Sequence, residues 1–191
     1  MAKKRVKKKT TKRKVKSRKK NVIDKVEKDV KSALELENKH HWKPLIISLI
    51  IVYAIAFFGS SFTAPVVDTA WYQEIKPAIT PPSWVFPVLW NILFFLIGVS
   101  LYLSWIHSKK TQKKIVAVEY GFNLFLNALW NFLFFGLKSP LYGFVALIFL
   151  WISILSMIYI TWEINKKSSY LLIPYLLWVS FAGVLNFLIL I

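Results

Sequence analysis

From Leu45 onward the apolar residues stop alternating with polar ones and run together. Five stretches result: about Leu45 to Val67, Trp84 to Ile106, Ile115 to Leu137, Leu141 to Trp162 and Tyr170 to Ile191. Each is close to the roughly 20 residues that a helix needs to cross a bilayer. Four contain no charge, and the third carries only Glu119, one turn inside its start, where a carboxylate reaches the headgroups. The pattern predicts an all-α membrane fold: a five-transmembrane-helix bundle over residues 45–191, preceded by a basic tail over 1–44. The first run exceeds a signal-peptide core of about 7–15 residues and follows a basic stretch longer than a secretory leader's, so it reads as a retained helix.

Charge divides the chain at the same place. Eighteen of the 26 Lys and Arg lie in residues 1–44 against five acids, whereas the body holds eight Lys and four acids. Residues 1–20 carry 13 basic residues and no acid, so self-repulsion predicts disorder there. In 21–38, Val22, Val26, Val30 and Ala33/Leu34 recur at helical spacing, with Asp24/Lys28 and Glu27/Lys31 at i,i+4, which predicts an amphipathic helix at the membrane surface. Lys109, Lys110, Lys113, Lys114, Lys166 and Lys167 share a side with the tail; only Lys76 and Lys138 fall on the other. The asymmetry places the N-terminus in the cytoplasm and the C-terminus outside a plasma or inner membrane. Each basic residue near an anionic surface contributes about 1 kcal/mol, so residues 1–20 are expected to contact anionic lipid. A purely topogenic run and a salt-sensitive nucleic-acid contact are the alternatives, the last being the least favoured.

Residues 68–83 hold three prolines. Pro81 and Pro82 fit the first turn of the second span with Thr80 as its N-cap, and Pro87 and Pro174 are expected as kinks that widen a cavity. Trp42, Trp71, Trp84, Trp105 and Trp162 fall at interfaces, where aromatic belts are ordinary. Trp90, Trp130, Trp151 and Trp178 lie deeper. Helical rise puts Trp90 and Trp130 roughly 9 and 10 Å below the outer boundary, with Asn91, Asn131 and Asn186 at roughly 10, 9 and 8 Å. Asn123, Asn127 and Asn131 form one stripe. Two readings stand side by side: amides that tie helices together, at about 0.6–2 kcal/mol each, or an indole-walled cavity for a flat, apolar ligand with a few polar edges.

Three blocks are specific. Trp71-Tyr72, Lys76-Pro77, Pro81-Pro82, Trp84-Val85-Phe86 and Trp90 form the first. Leu126-Asn127, Trp130 and Phe134-Phe135-Gly136 form the second. Pro174-Tyr175-Leu176-Leu177-Trp178, Phe181-Ala182 and Leu185-Asn186 form the third. In order and spacing they resemble the TspO/MBR family, the tryptophan-rich sensory proteins related to the mitochondrial translocator protein or peripheral benzodiazepine receptor. The resemblance implies a five-helix bundle, often dimeric, that binds porphyrins and other apolar ligands beneath its first loop. It implies pocket roles for Trp90 and Trp178, and a roof from Trp71, Tyr72 and Pro81. The expected ligand-binding set is Trp90, Trp178, Trp130, Asn127, Asn186, Trp71, Tyr72, Pro81 and Phe86. No cofactor is required, and porphyrin or haem is the expected ligand. Asn123 and Asn131 replace a frequent Gln and Ser of the family. The chain ends without Lys or Arg after the fifth span, so the sterol-recognition segment of the mitochondrial relatives is not expected to carry over.

Hydrolytic and phosphoryl chemistry find no residues here: the body lacks paired carboxylates, a Ser/His/Asp set or a Gly-rich phosphate loop. Any catalysis would be photo-oxidative breakdown of a bound chromophore. A third reading makes the body an anchor for a working tail. His40, His41 and His107 suit an interface better than a metal, since adjacent helical histidines diverge by about 100°. With no cysteine, thiolate chemistry is excluded. Ala117 and Gly121 give one small-xxx-small step, a spacing used in helix dimers.

Overall fold

The computed structural model describes residues 24–25 and 42–191. The disorder expected over 1–20 and most of the amphipathic helix expected over 21–38 lie outside the described residues. The body is all-helical. Its elements are α1 (Trp42–Thr63), the short α2 (Ala70–Ile75), α3 (Val85–His107), α4 (Lys113–Asn131) continued by a π-helical turn (Phe132–Gly136), α5 (Pro140–Ile164) and α6 (Lys166–Leu190). By length and composition α1, α3, α5 and α6 can each cross a membrane. The fourth long helix in chain order, α4, opens with Lys113 and Lys114 and carries Glu119, which makes it the least apolar of the five.

The long helices pack in the cyclic order α1–α3–α6–α5–α4, returning to α1. Successive long helices run antiparallel, which leaves α1 and α4 parallel, their C-terminal ends joined by Thr63 and Asn131. The α5–α6 turn uses a single residue: Asn165 ends α5, and its side chain accepts from the N–H groups of Lys167 and Ser168 at 2.9 and 3.3 Å, capping α6. The outside of the bundle is as apolar as its core, with Ile50, Phe57, Phe58 and Leu177 exposed. Many of the buried polar groups pair with one another instead. That inversion suits hydrocarbon surroundings.

Two boundaries differ from expectation for physical reasons. The second span starts at Val85, because Pro82 accepts from Val85 N–H in a turn and Trp84 stands at the N-cap. Thr80, Pro81 and Pro82 therefore belong to the loop, and Thr80 makes no cap. Pro87 falls in the first turn of α3, where its missing N–H has no intrahelical partner to lose; it needs no kink. Pro174 does lie inside α6. The third span ends in a wider turn, closed by Leu137 N–H to Phe132 O at 2.8 Å. Phe134 and Phe135 of this turn are both buried.

Candidate functional site

Polar pairing holds the inner part of the bundle closed. Tyr175 Oη donates to Asn123 Oδ1 at 3.2 Å and accepts from Asn127 Nδ2 at 3.3 Å, while Asn123 Nδ2 donates to Ser153 Oγ at 2.8 Å. Nearer the lysines that open α4, Tyr120 Oη meets Ser100 and Ser104 at 2.6 and 3.1 Å, and Ser100 Oγ donates to Ser168 O. On α3, Gly98 admits the chain of α1: a Cβ there would come within 2.6 Å of Leu49 Cδ2. Asn123 and Asn127 thus tie helices together.

Toward the other end α1 and α3 diverge. Tyr53 Oη donates to Asn91 O at 3.1 Å where they part, and beyond it lies a cavity of about 660 Å³. Trp90 and Phe94 of α3, one helical turn apart, stack at 5.3 Å and 27°. Trp90 faces Trp130 of α4 at 6.2 Å and Tyr175 at 6.2 Å. Phe134 and Phe135 of the π-helical turn continue the wall, and Leu185 and Asn186 of α6 complete it. Phe57 and Trp84 line the cavity while 79% and 68% exposed, so it opens sideways between α1 and α3.

The roof is α2 with the proline loop. It rests on the π-helical turn through Trp71 against Phe134 (6.0 Å) and Tyr72 against Phe135 (5.6 Å). Burial pushes the Tyr72 phenol above its ordinary range. At the rim, Thr63 Oγ1 donates to Asn131 Oδ1 at 2.5 Å and Asn131 Nδ2 donates to Asn127 O at 2.9 Å.

Of the residues expected at the site, Trp90, Trp130, Asn186, Tyr72, Pro81 and Phe86 line the cavity. Three stand behind it. Trp71 seats the roof helix on Phe134, Asn127 is buried beneath in the tyrosine network, and Trp178 backs Phe86 at 5.6 Å and 64°. Asn186 also serves the fold: with its amide set to satisfy both neighbours, it donates to Pro140 O at 2.9 Å and accepts from Phe144 N–H at 3.2 Å. Trp151, deep in its span, faces outward and donates to Ser180 Oγ at 2.8 Å. Residue-by-residue reading missed Tyr53, Phe57 and Phe94. The four-residue step from Trp90 could have signalled Phe94; the α1 residues carried no signal. Among the described residues no cluster of His, Cys, Asp or Glu could hold a metal, and His107 Nδ1 lies 2.7 Å from Leu103 O, away from the cavity.

A lipid-facing helical bundle with a roofed aromatic cavity defines a multi-helix membrane protein built around a ligand-sized hollow. The chain belongs to the TspO/MBR family, matching it over residues 47–191. It is 46% identical over 147 residues to the tryptophan-rich protein TspO of Archaeoglobus fulgidus, an alignment spanning 76% of this chain and 94% of that one. It is 39% identical over 152 residues to the tryptophan-rich protein TspO of Chlorobaculum tepidum (76% and 93%). Against the translocator protein of Bos taurus the identity is 29% over 150 residues (76% and 88%).

Proposed function

We propose that this protein is a membrane receptor for porphyrins and similarly flat, apolar ligands, with sensing or transport following from occupancy of the cavity beneath α2. The observation that carries this reading is the aromatic hollow of about 660 Å³, inside the roughly 300–1,000 Å³ range of small-molecule sites. Trp90, Phe94 and Trp130 offer ring faces, and Asn186 an amide. Phe86, Tyr72 and Pro81 close the site from the roof side. Trp178, Trp71 and Asn127 act from behind, holding Phe86, the roof and the floor. No His, Cys or Met is among the residues lining the cavity, so an iron porphyrin would be held by its ring rather than through those axial ligands.

In this reading all five long helices cross a plasma or inner membrane, α4 included, with its lysines at the headgroups. The tail lies in the cytoplasm against anionic lipid, the roof faces outside, and two copies pair as a homodimer.

The test is tryptophan fluorescence of the purified protein titrated with protoporphyrin. Saturable quenching is expected, with most of it lost in Trp90→Phe combined with Trp130→Phe. Quenching that never saturates, or that is indifferent to both substitutions, would overturn the reading.

A further inference from the structure

Among the residues lining the cavity, the one cation is Lys76 and the one anion is Asp68; every other lining side chain is neutral in its ordinary state. Lys76 is not left to wander. Pro77 follows it and restricts its backbone to the extended region, where it is found at φ −66 and ψ 132, with its N–H bound to Tyr72 O. Its ammonium donates to Gln73 Oε1. Gln73 is itself fixed, because its Nε2 donates to Val67 O at 2.8 Å. A relay from the turn after α1 thus sets a positive charge at the mouth of a largely apolar hollow. Its partner is a neutral amide rather than Asp68, and an ammonium has three donors, of which Gln73 takes one.

We propose that Lys76 is the residue through which the cavity selects ligands bearing a carboxylate. The ligand's ring system lies against Trp90 and Trp130, and an acid on its edge accepts from Lys76 Nζ at the mouth. The preferred class is then a flat, apolar ring with free acid groups on one side, rather than its neutral ester. This rests on the porphyrin reading of the cavity and adds to it which end of the ligand points outward.

The full-length protein in neutral detergent is titrated with protoporphyrin and with its dimethyl ester, for the unmodified chain and for K76Q and K76R. K76Q should weaken the diacid about five- to tenfold, the size expected of one charge-assisted contact at a solvent-reached mouth. The ester should bind K76Q and the unmodified chain alike, and K76R should keep the preference. Taking the ratio between chains for each ligand cancels their different partitioning into detergent. Independently of any variant, added salt should weaken the diacid on the unmodified chain and spare the ester. Equal losses for both ligands in K76Q, or identical salt dependence, would overturn the role of Lys76 while leaving porphyrin binding intact. If neither ligand binds the unmodified chain saturably, the porphyrin reading falls and this proposal with it.

Discussion

Gly143 of α5 lies against Phe134 of the π-helical turn so closely that a Cβ on it would sit 2.8 Å from both Phe134 Cβ and Cδ2 and 3.2 Å from its Cα. In an open helix, replacing glycine by alanine gains up to about 1 kcal/mol. Here the neighbour is backbone-adjacent and cannot swing away. Gly143→Ala is expected to destabilise the bundle by about 1–3 kcal/mol and to push Phe134 into the cavity. Thermal unfolding in detergent together with porphyrin titration checks both consequences.

Tyr175 separates fold from site. Its hydroxyl bridges Asn123 and Asn127 beneath the cavity floor, while its ring edge meets Trp90. Tyr175→Phe keeps the ring and takes the partner from Asn123 Oδ1 and Asn127 Nδ2, a change expected to lower stability by about 1–3 kcal/mol with ligand affinity altered less than about threefold. Parallel unfolding and titration curves give the comparison. A large loss of affinity without a loss of stability would contradict the placement.

The two tryptophans expected in the pocket should behave differently. Trp90 lines the hollow itself, so Trp90→Phe should weaken a ligand held there about three- to tenfold, the range of a lost aromatic contact. Trp178 does not line the cavity and stands behind Phe86. Trp178→Phe should cost less affinity than Trp90→Phe, measured by equilibrium titration of each variant.

Tyr72 predicts a pH dependence for the roof. Desolvation raises its folded-state pKa above the ordinary 10.0, so the native structure favours the neutral phenol. The resulting stabilisation is fully present below about pH 10 and is lost as pH rises through the higher folded value. Unfolding followed across alkaline pH should show a steeper decline in the unmodified chain than in Tyr72→Phe.

How much of this was legible beforehand depends on what one dimension carries. The apolar runs located all five long helices, because length and the near-absence of charge survive any rotation about the axis. Depth survived too: Trp90, Trp130 and Asn186 could be set at one level from helical rise, and they meet at one cavity. Facing direction did not survive. The amides Asn127 and Asn186 looked equivalent, yet one is locked to Tyr175 and the other reaches the cavity while closing the start of α5. Trp151 and Trp178 were equally deep, and one faces outward. The family motifs drew attention to the roof residues, but Tyr53 and Phe57 lie in a helix of uniform apolarity, where nothing marks one face from another. The π-helical turn was invisible because its five-residue hydrogen-bonded step departs from the 3.6-residue period that sequence reading assumes.

Consider finally the closure of the inner half. With Gly98 admitting Leu49 and the Tyr120–Ser100–Ser104 hydroxyls locked together below, the hollow is a cup rather than a tunnel. On the proposed reading, a guest enters between α1 and α3, and passage beyond the cup would require the helices of the closed half to part. On the same reading, occupancy would be relayed by the helices themselves, through the lean of α1 against α3 and the seating of α2 on Phe134 and Phe135.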